Sequence, residues 1–178
     1  DHCMLLSMVS CSICYEMNWV SPEIIEKLCY AAALHDGALE PSCLEQEFAY
    51  YGRHFIEEKY DRETFEKFKQ HPINMAEIIS KSPQIPPDVD IVVAQHHELP
   101  NSVGFPRGLS AQSISPLGAL FSLAHEFIRE LYLINFDYDK IATCLIRLEK
   151  NFKQGRFLAP FLGLVQMVEK HQLRQEKK

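Results

Sequence analysis

The segment Ser21–Asp36 places the tightest constraint on the fold. Ser21 suits a helix N-cap and Pro22 the first helical position, while Ile24, Ile25, Leu28, Ala31, Ala32 and Leu34 recur at the spacing of one buried helical face. The segment then ends on His35-Asp36, an ionisable pair at the inner end of an otherwise core-facing helix. Polar groups carried into a core need partners. A fold that accepts this helix must bring other side chains to His35 and Asp36.

The helical period recurs along the chain. Residues 2–18 read as an apolar-rich helix. Residues 61–81 read as another, with His71-Pro72 near its middle, and Pro72 is expected to break or kink it at His71. A short helix spans residues 88–98 and ends in His96-His97. A long apolar helix over residues 115–135 carries His125, and two more follow over residues 138–152 and 158–172, separated by Gly155. Glu45 and the run Phe48–Phe55 suggest a further helix. Leu99–Ser113 is rich in Gly, Pro, Ser and Asn and reads as a loop long enough to be functional. The tail Arg174–Lys178 reads as solvated. No alternating period-2 segment runs longer than a few residues, so the expected class is all-α, a bundle of about seven helices.

At 178 residues, 47% of them apolar, the chain can bury one substantial core, and a single domain over residues 1–178 is expected. The formal charge of -6 leaves no footprint for an extended nucleic-acid or anionic-membrane surface. A phosphate-bearing ligand would have to be small and held by local groups or metal. Six cysteines lie mostly within apolar helical patterns, which argues for a reduced, cytoplasmic thiol set rather than a disulfide framework. Cys11-Ser-Ile-Cys14 has a redox spacing but lies in a helical pattern without βαβ context, so core packing is its expected role. No segment is long enough to span a membrane, and the apolar N-terminus lacks the basic flank of a signal peptide. The first helix begins in mid-pattern at Asp1, and the chain is expected to be part of a longer protein with a partner or regulatory domain.

Eight histidines are present, and six of them, His2, His35, His71, His96, His97 and His125, lie on or at the ends of helices that otherwise face the core. His54 and His171 lie in polar surroundings and read as surface residues. Adjacent residues on a helix point about 100° apart, so His35-Asp36 and His96-His97 can each reach two neighbouring metal positions. Imidazoles suit transition metals, and a carboxylate such as Asp36 can bridge two cations. Two ions about 3.5–4 Å apart would acidify a bridging water to a hydroxide nucleophile and clamp phosphoryl oxygens. The chemistry implied is phosphoester hydrolysis.

In order and spacing these residues resemble the HD-GYP family of the HD superfamily of metal-dependent phosphohydrolases. Ala31-Ala32-Ala33-Leu34-His35-Asp36 looks like the HD signature, and His2 falls where the family has an earlier helical histidine. The stretch from Asp61 to His71-Pro72 resembles the approach to the next ligand. Val92-Val93-Ala94-Gln95-His96-His97-Glu98 is the closest match, followed by Gly104-Phe105-Pro106 where the family's namesake GYP stands. The resemblance extends to a closing helix from Gly155-Arg156-Phe157 to Val168. It implies an HD-domain bundle around a buried metal site, with His35, Asp36, His71, His96 and His97 as ligands, joined by His2 and by His125 at a position usually held by aspartate. It implies two transition-metal ions, iron first, with manganese, nickel, cobalt or zinc as alternatives.

The departures are specific. Leu39 stands in place of a lysine used near the phosphate, which removes one cationic contact. Phe105 lacks the tyrosine hydroxyl, and Asn101-Ser102-Val103 replaces Asp-Gly-Ser. His125 in place of a carboxylate leaves one negative charge fewer. Three functions follow as expectations. The first is a phosphodiesterase acting on cyclic di-GMP or a related cyclic dinucleotide, with Asp36 anchoring the nucleophile and Arg107 the loop residue nearest to contacting substrate. The second is a catalytically impaired domain that binds metal and nucleotide as a signalling or regulatory module. The third is a hydrolase of another phosphoester.

Overall fold

The computed structural model describes residues 2–39 and 61–175. Among these, seven α-helices follow in order: α1 (His2–Glu16), α2 (Pro22–Leu34), α3 (Arg62–Ser80), α4 (Val89–Ala94), α5 (Pro116–Leu133), α6 (Ile141–Phe152) and α7 (Leu158–Gln175). Single 3-10 turns at Tyr138–Lys140 and Gly155–Phe157 lead into α6 and α7. The described residues contain no strand, only an isolated antiparallel bridge between Asn101 and Ser110. The all-α reading holds. The helix expected around Glu45 and Phe48–Phe55 lies outside the described residues, as do His54 and Cys43.

The helix starts follow local chemistry. Ser21 Oγ accepts from Ile24 N at 3.2 Å, Asp61 Oδ1 from Thr64 N at 2.8 Å and Ser115 Oγ from Gly118 N at 3.0 Å. Each cap satisfies an amide that has no partner within its helix. Pro22 and Pro116 occupy the first helical turn, where a missing N–H costs nothing.

Helix α5 is the central rod, buried over nearly all of its length from Gly118 to Leu131. Helices α1, α4, α6 and α7 pack on it, α2 packs on α1 and α4, and α3 packs on α4. The core runs from Leu6 and Ile13 of α1 through Leu28 of α2 and Val93 of α4 to Leu120 and Ile128 of α5 and Leu164 of α7. Helix α1 is apolar on every side, as expected for an element pressed between neighbours, yet it leaves Met4, Met8 and Tyr15 exposed.

Three expectations need correction. Of the break or kink expected at His71, the break does not occur, since α3 runs through Pro72 as one helix. Helix α4 stops at Ala94, so His96 and His97 lie in the turn that follows rather than on the helix. The segment 138–152 is a 3-10 turn followed by α6, not one helix. Cys14 is buried core, Cys11 is half-buried beside it, and none of the five described cysteines forms a disulfide. Burial pushes the Cys11 thiol up to about 12, so it stays protonated at neutral pH, contrary to what redox chemistry needs.

Candidate metal centre

Seven side chains from five elements converge. His2 opens α1, His35 and Asp36 follow the last turn of α2, His71 lies mid-way along α3, His96 and His97 lie in the turn after α4, and His125 sits in the middle of α5. One ligand atom from each of Asp36, His71, His96 and His97 lies within 4.8 Å of the others, and the same holds for His2, His35 and His125. Asp36 joins the two sets. Its Oδ1 is 3.2 Å from His71 Nε2 and 3.6 Å from His96 Nε2, while Oδ2 is 3.0 Å from His35 Nε2.

Three of the rings are oriented alike. Nδ1 donates to the carbonyl three residues back: His35 to Ala32 at 3.0 Å, His71 to Phe68 at 2.5 Å and His96 to Val93 at 2.6 Å. A carbonyl only accepts, so each Nδ1 carries a proton and each ring turns its Nε2 toward the cluster. These Nε2 atoms face a carboxylate and one another, with His71 Nε2 3.2 Å from His96 Nε2. Nitrogens and oxygens this close are held together by protons or by a metal ion among them.

Electrostatics favours a metal ion over protons for that centre. Burial lowers His96 to about 4 despite its bond to Asp36, and burial likewise brings His2 to about 4. Burial also holds His97 and His125 well below the usual histidine value, with neighbouring imidazoles adding to the effect. Burial alone would raise Asp36, but His35, with His71 and His96, holds its carboxyl well below the ordinary range. At neutral pH Asp36 is therefore ionised and His2, His96, His97 and His125 are neutral, the protonation state metal binding requires. His2 Nδ1 and Asp36 Oδ1 are buried without a well-formed hydrogen bond, a cost that coordination would remove. The residues fit divalent transition metals.

An apolar wall closes the His97 side. The Phe105 ring stacks on His97 at 4.4 Å and 25°, and Phe105, Phe68 and Phe65 form a small separate core against which Leu39 packs. The two positions where the resemblance would place a hydroxyl and an ammonium thus both contribute hydrocarbon. Glu98 holds this wall in place. Its fully buried carboxylate accepts from the amides of Arg107 at 2.8 Å and Leu109 at 2.7 Å, and its carbonyl accepts from Ser122 Oγ at 2.7 Å. Phe105 N donates to the His97 carbonyl at 3.1 Å. Gly104 makes this approach possible, because a Cβ there would lie 2.3 Å from Leu99 N and 2.6 Å from the His97 carbonyl oxygen.

Every residue named as a candidate ligand is in the cluster; Arg107 is not. It is exposed, and its described contact is its backbone amide on Glu98. His171 is exposed beside Tyr138, as expected of a surface residue. Two residues were not anticipated. Glu98 could have been suspected from its place beside His96-His97, ahead of the loop it clamps. Tyr132, whose ring lies 6.1 Å from His2 at 26°, stands seven residues after His125 and so two turns further along one face of α5.

A family model described as HD domain matches residues 54–131, the stretch that carries His71, His96, His97 and His125. Over that stretch the chain is similar to HD domains. His35 and Asp36 precede the matched stretch but join its histidines in the cluster. The fold is similar to that of Bd1817, described as an HDG"Y"P protein, from Bdellovibrio bacteriovorus, with a TM-score of 0.69 and 24% sequence identity over 94% of this chain and 51% of that one. The chain thus spans about half the length of that protein. No curated protein matches the sequence. The histidine–aspartate cluster suits divalent-metal binding. No described helix is long and apolar enough to cross a membrane.

Proposed function

We propose that this HD domain is a metal-dependent phosphodiesterase of HD-GYP type that hydrolyses cyclic di-GMP or a related cyclic dinucleotide in the cytoplasm. The observation that carries the reading is the meeting of two histidine sets at one aspartate, with His71 Nε2 and His96 Nε2 3.2 Å apart. Asp36, His71, His96 and His97 would hold one ion and His2, His35 and His125 a second, with Asp36 between them. Bound there, two transition-metal ions, iron first, supply acidified water and charge neutralisation for phosphoester hydrolysis. The chain's own residues do the rest. Backbone carbonyls at Ala32, Phe68 and Val93 fix three rings in one tautomer. Phe68 and Phe105 keep bulk water from His97, which strengthens electrostatics inside the site. Arg107, on the loop clamped by Glu98, is the cation we assign to a substrate phosphate.

A second reading has a specific observation behind it. Leu39 and Phe105 put hydrocarbon where phosphate contacts are expected, which suits a domain that binds metal and nucleotide and signals through a fused or separate protein partner without turnover. Incubation of metal-replete protein with cyclic di-GMP separates the two. Release of the linear dinucleotide or GMP supports the phosphodiesterase. Measurable binding without product favours the regulatory module, and absence of both alongside cleavage of another phosphoester would reassign the substrate.

A further inference from the structure

The three histidines that bond to a carbonyl three residues back face a common difficulty. In a continuous α-helix, the carbonyl three residues before a histidine is already engaged by the amide of the residue after it, in the ordinary four-residue register. That carbonyl is best placed to take an imidazole Nδ1–H where the ladder is interrupted. His35 and His96 meet the condition because α2 ends at Leu34 and α4 at Ala94. His71 does not, since α3 continues to Ser80.

Pro72 is the residue that follows His71. It has no amide proton to offer the Phe68 carbonyl, and this is the oxygen that receives His71 Nδ1 at 2.5 Å. We propose that Pro72 is a positioning residue of the metal centre: it opens the Phe68 carbonyl to His71, so that a histidine in the middle of a helix adopts the same tautomer and inward Nε2 as the two at helix ends. The inference rests on the metal-centre reading for its consequence but not for its geometry. It also explains why an interior proline in a buried stretch of α3 leaves the helix unbroken. The oxygen it would strand is satisfied by the preceding side chain, and that bond aims His71 Nε2 to within 3.2 Å of both Asp36 Oδ1 and His96 Nε2.

The test is Pro72→Ala in the full chain, read in two ways. Nitrogen-15 spectra of the histidine rings, recorded without metal, report the tautomer of His71. Titration with Co(II), followed by its visible absorption, reports affinity and ligand geometry. The amide restored at position 72 competes for Phe68 O, so His71 should lose its single Nδ1–H tautomer. Co(II) affinity should fall by about 10–100-fold, the usual effect of removing the group that orients a ligand histidine. The helix itself should not weaken, and the thermal midpoint of the metal-free variant should equal or exceed that of the wild type.

A third protein separates the missing amide from the rigid ring. An α-hydroxy acid analogue of alanine at position 72 replaces the amide by an ester, removing the N–H without restoring the pyrrolidine. It should recover both the tautomer and the affinity. An unchanged His71 spectrum and unchanged affinity in Pro72→Ala would overturn the assignment, as would an ester variant that behaves like Pro72→Ala. A wild-type protein that takes up no Co(II) would instead sink the metal centre, while the ring spectra would still decide the role of Pro72.

Discussion

Asp36→Asn gives the sharpest test of the centre. The substitution keeps shape and removes one charge, at the carboxylate that joins the two histidine sets. Its side chain is 14% exposed, so water offers little compensation. Ligand linkage sets the scale: a metal present at about 100 times its dissociation constant stabilises the folded state by about 2.7 kcal/mol. For a domain of this length each kcal/mol moves the thermal midpoint by about 2–4 °C, so metal should raise the wild-type midpoint by about 5–11 °C. In Asp36→Asn nearly all of that increment should vanish, because an amide neutralises no cation and its NH2 opposes one. The assay is thermal unfolding by circular dichroism, with and without Mn(II) or Co(II), paired with elemental analysis. The comparison is made within each protein, so any change in the metal-free midpoint drops out. A variant that retains both the full metal-induced rise and full metal content would refute the placement of Asp36 between the ions.

Other perturbations probe the surroundings of the centre. In chelator-treated protein, stability should fall as pH drops from about 6.5 to about 4. Burial lowers His2 and His96 to about 4 in the folded state, so across that window the unfolded chain binds more protons. Two such groups give a slope of roughly 3 kcal/mol per pH unit near pH 5, and a urea midpoint equal at pH 7 and pH 5 would contradict it. Gly104→Ala should cost about 2–4 kcal/mol, since a Cβ 2.3 Å from Leu99 N must push the loop away and break the Phe105 bond to the His97 carbonyl. Urea denaturation reads this directly, and a loss below about 0.5 kcal/mol would mean that the loop is not held as tightly as described. Glu98→Gln should leave one of the Arg107 and Leu109 amides without its acceptor, and their hydrogen exchange should rise together with that of Phe105; exchange confined to one amide would limit the clamp to that contact.

Much of this architecture was legible because helix periodicity and cap chemistry act locally. Ser21, Asp61 and Ser115 announce helix starts through side-chain oxygens that need only the next three residues. The candidate ligands were legible for a different reason: an imidazole on a core-facing helix is anomalous by itself, and six such anomalies in one chain invite a common explanation. What stayed hidden depends on groups far apart in sequence. A glutamate beside two histidines looks like ordinary polar sequence until the amides of Arg107 and Leu109 arrive to use its carboxylate. Tyr132 is one aromatic among many on an apolar helix until His2 comes to lie against it.

Pro72 shows why local rules fail where a site is built. The expectation that it would break α3 counts only backbone donors and acceptors, and on that count a proline inside a helix leaves an oxygen stranded. A side chain that needs an acceptor reverses the sign of the argument, because that oxygen becomes the means of orienting His71. The same logic weighs the apolar wall. Leu39 and Phe105 remove polar contacts expected near a phosphate, yet Phe105 also stacks on His97 and shields it from water. Losing contacts while keeping a preorganised, dry centre should lower affinity for substrate more than it lowers metal retention. On the proposed function, metal content and turnover should therefore be separable, and Phe105→Tyr, which restores a hydroxyl without removing the ring, should leave the first unchanged while raising the second; equal turnover in both proteins would show that the wall is not what limits hydrolysis.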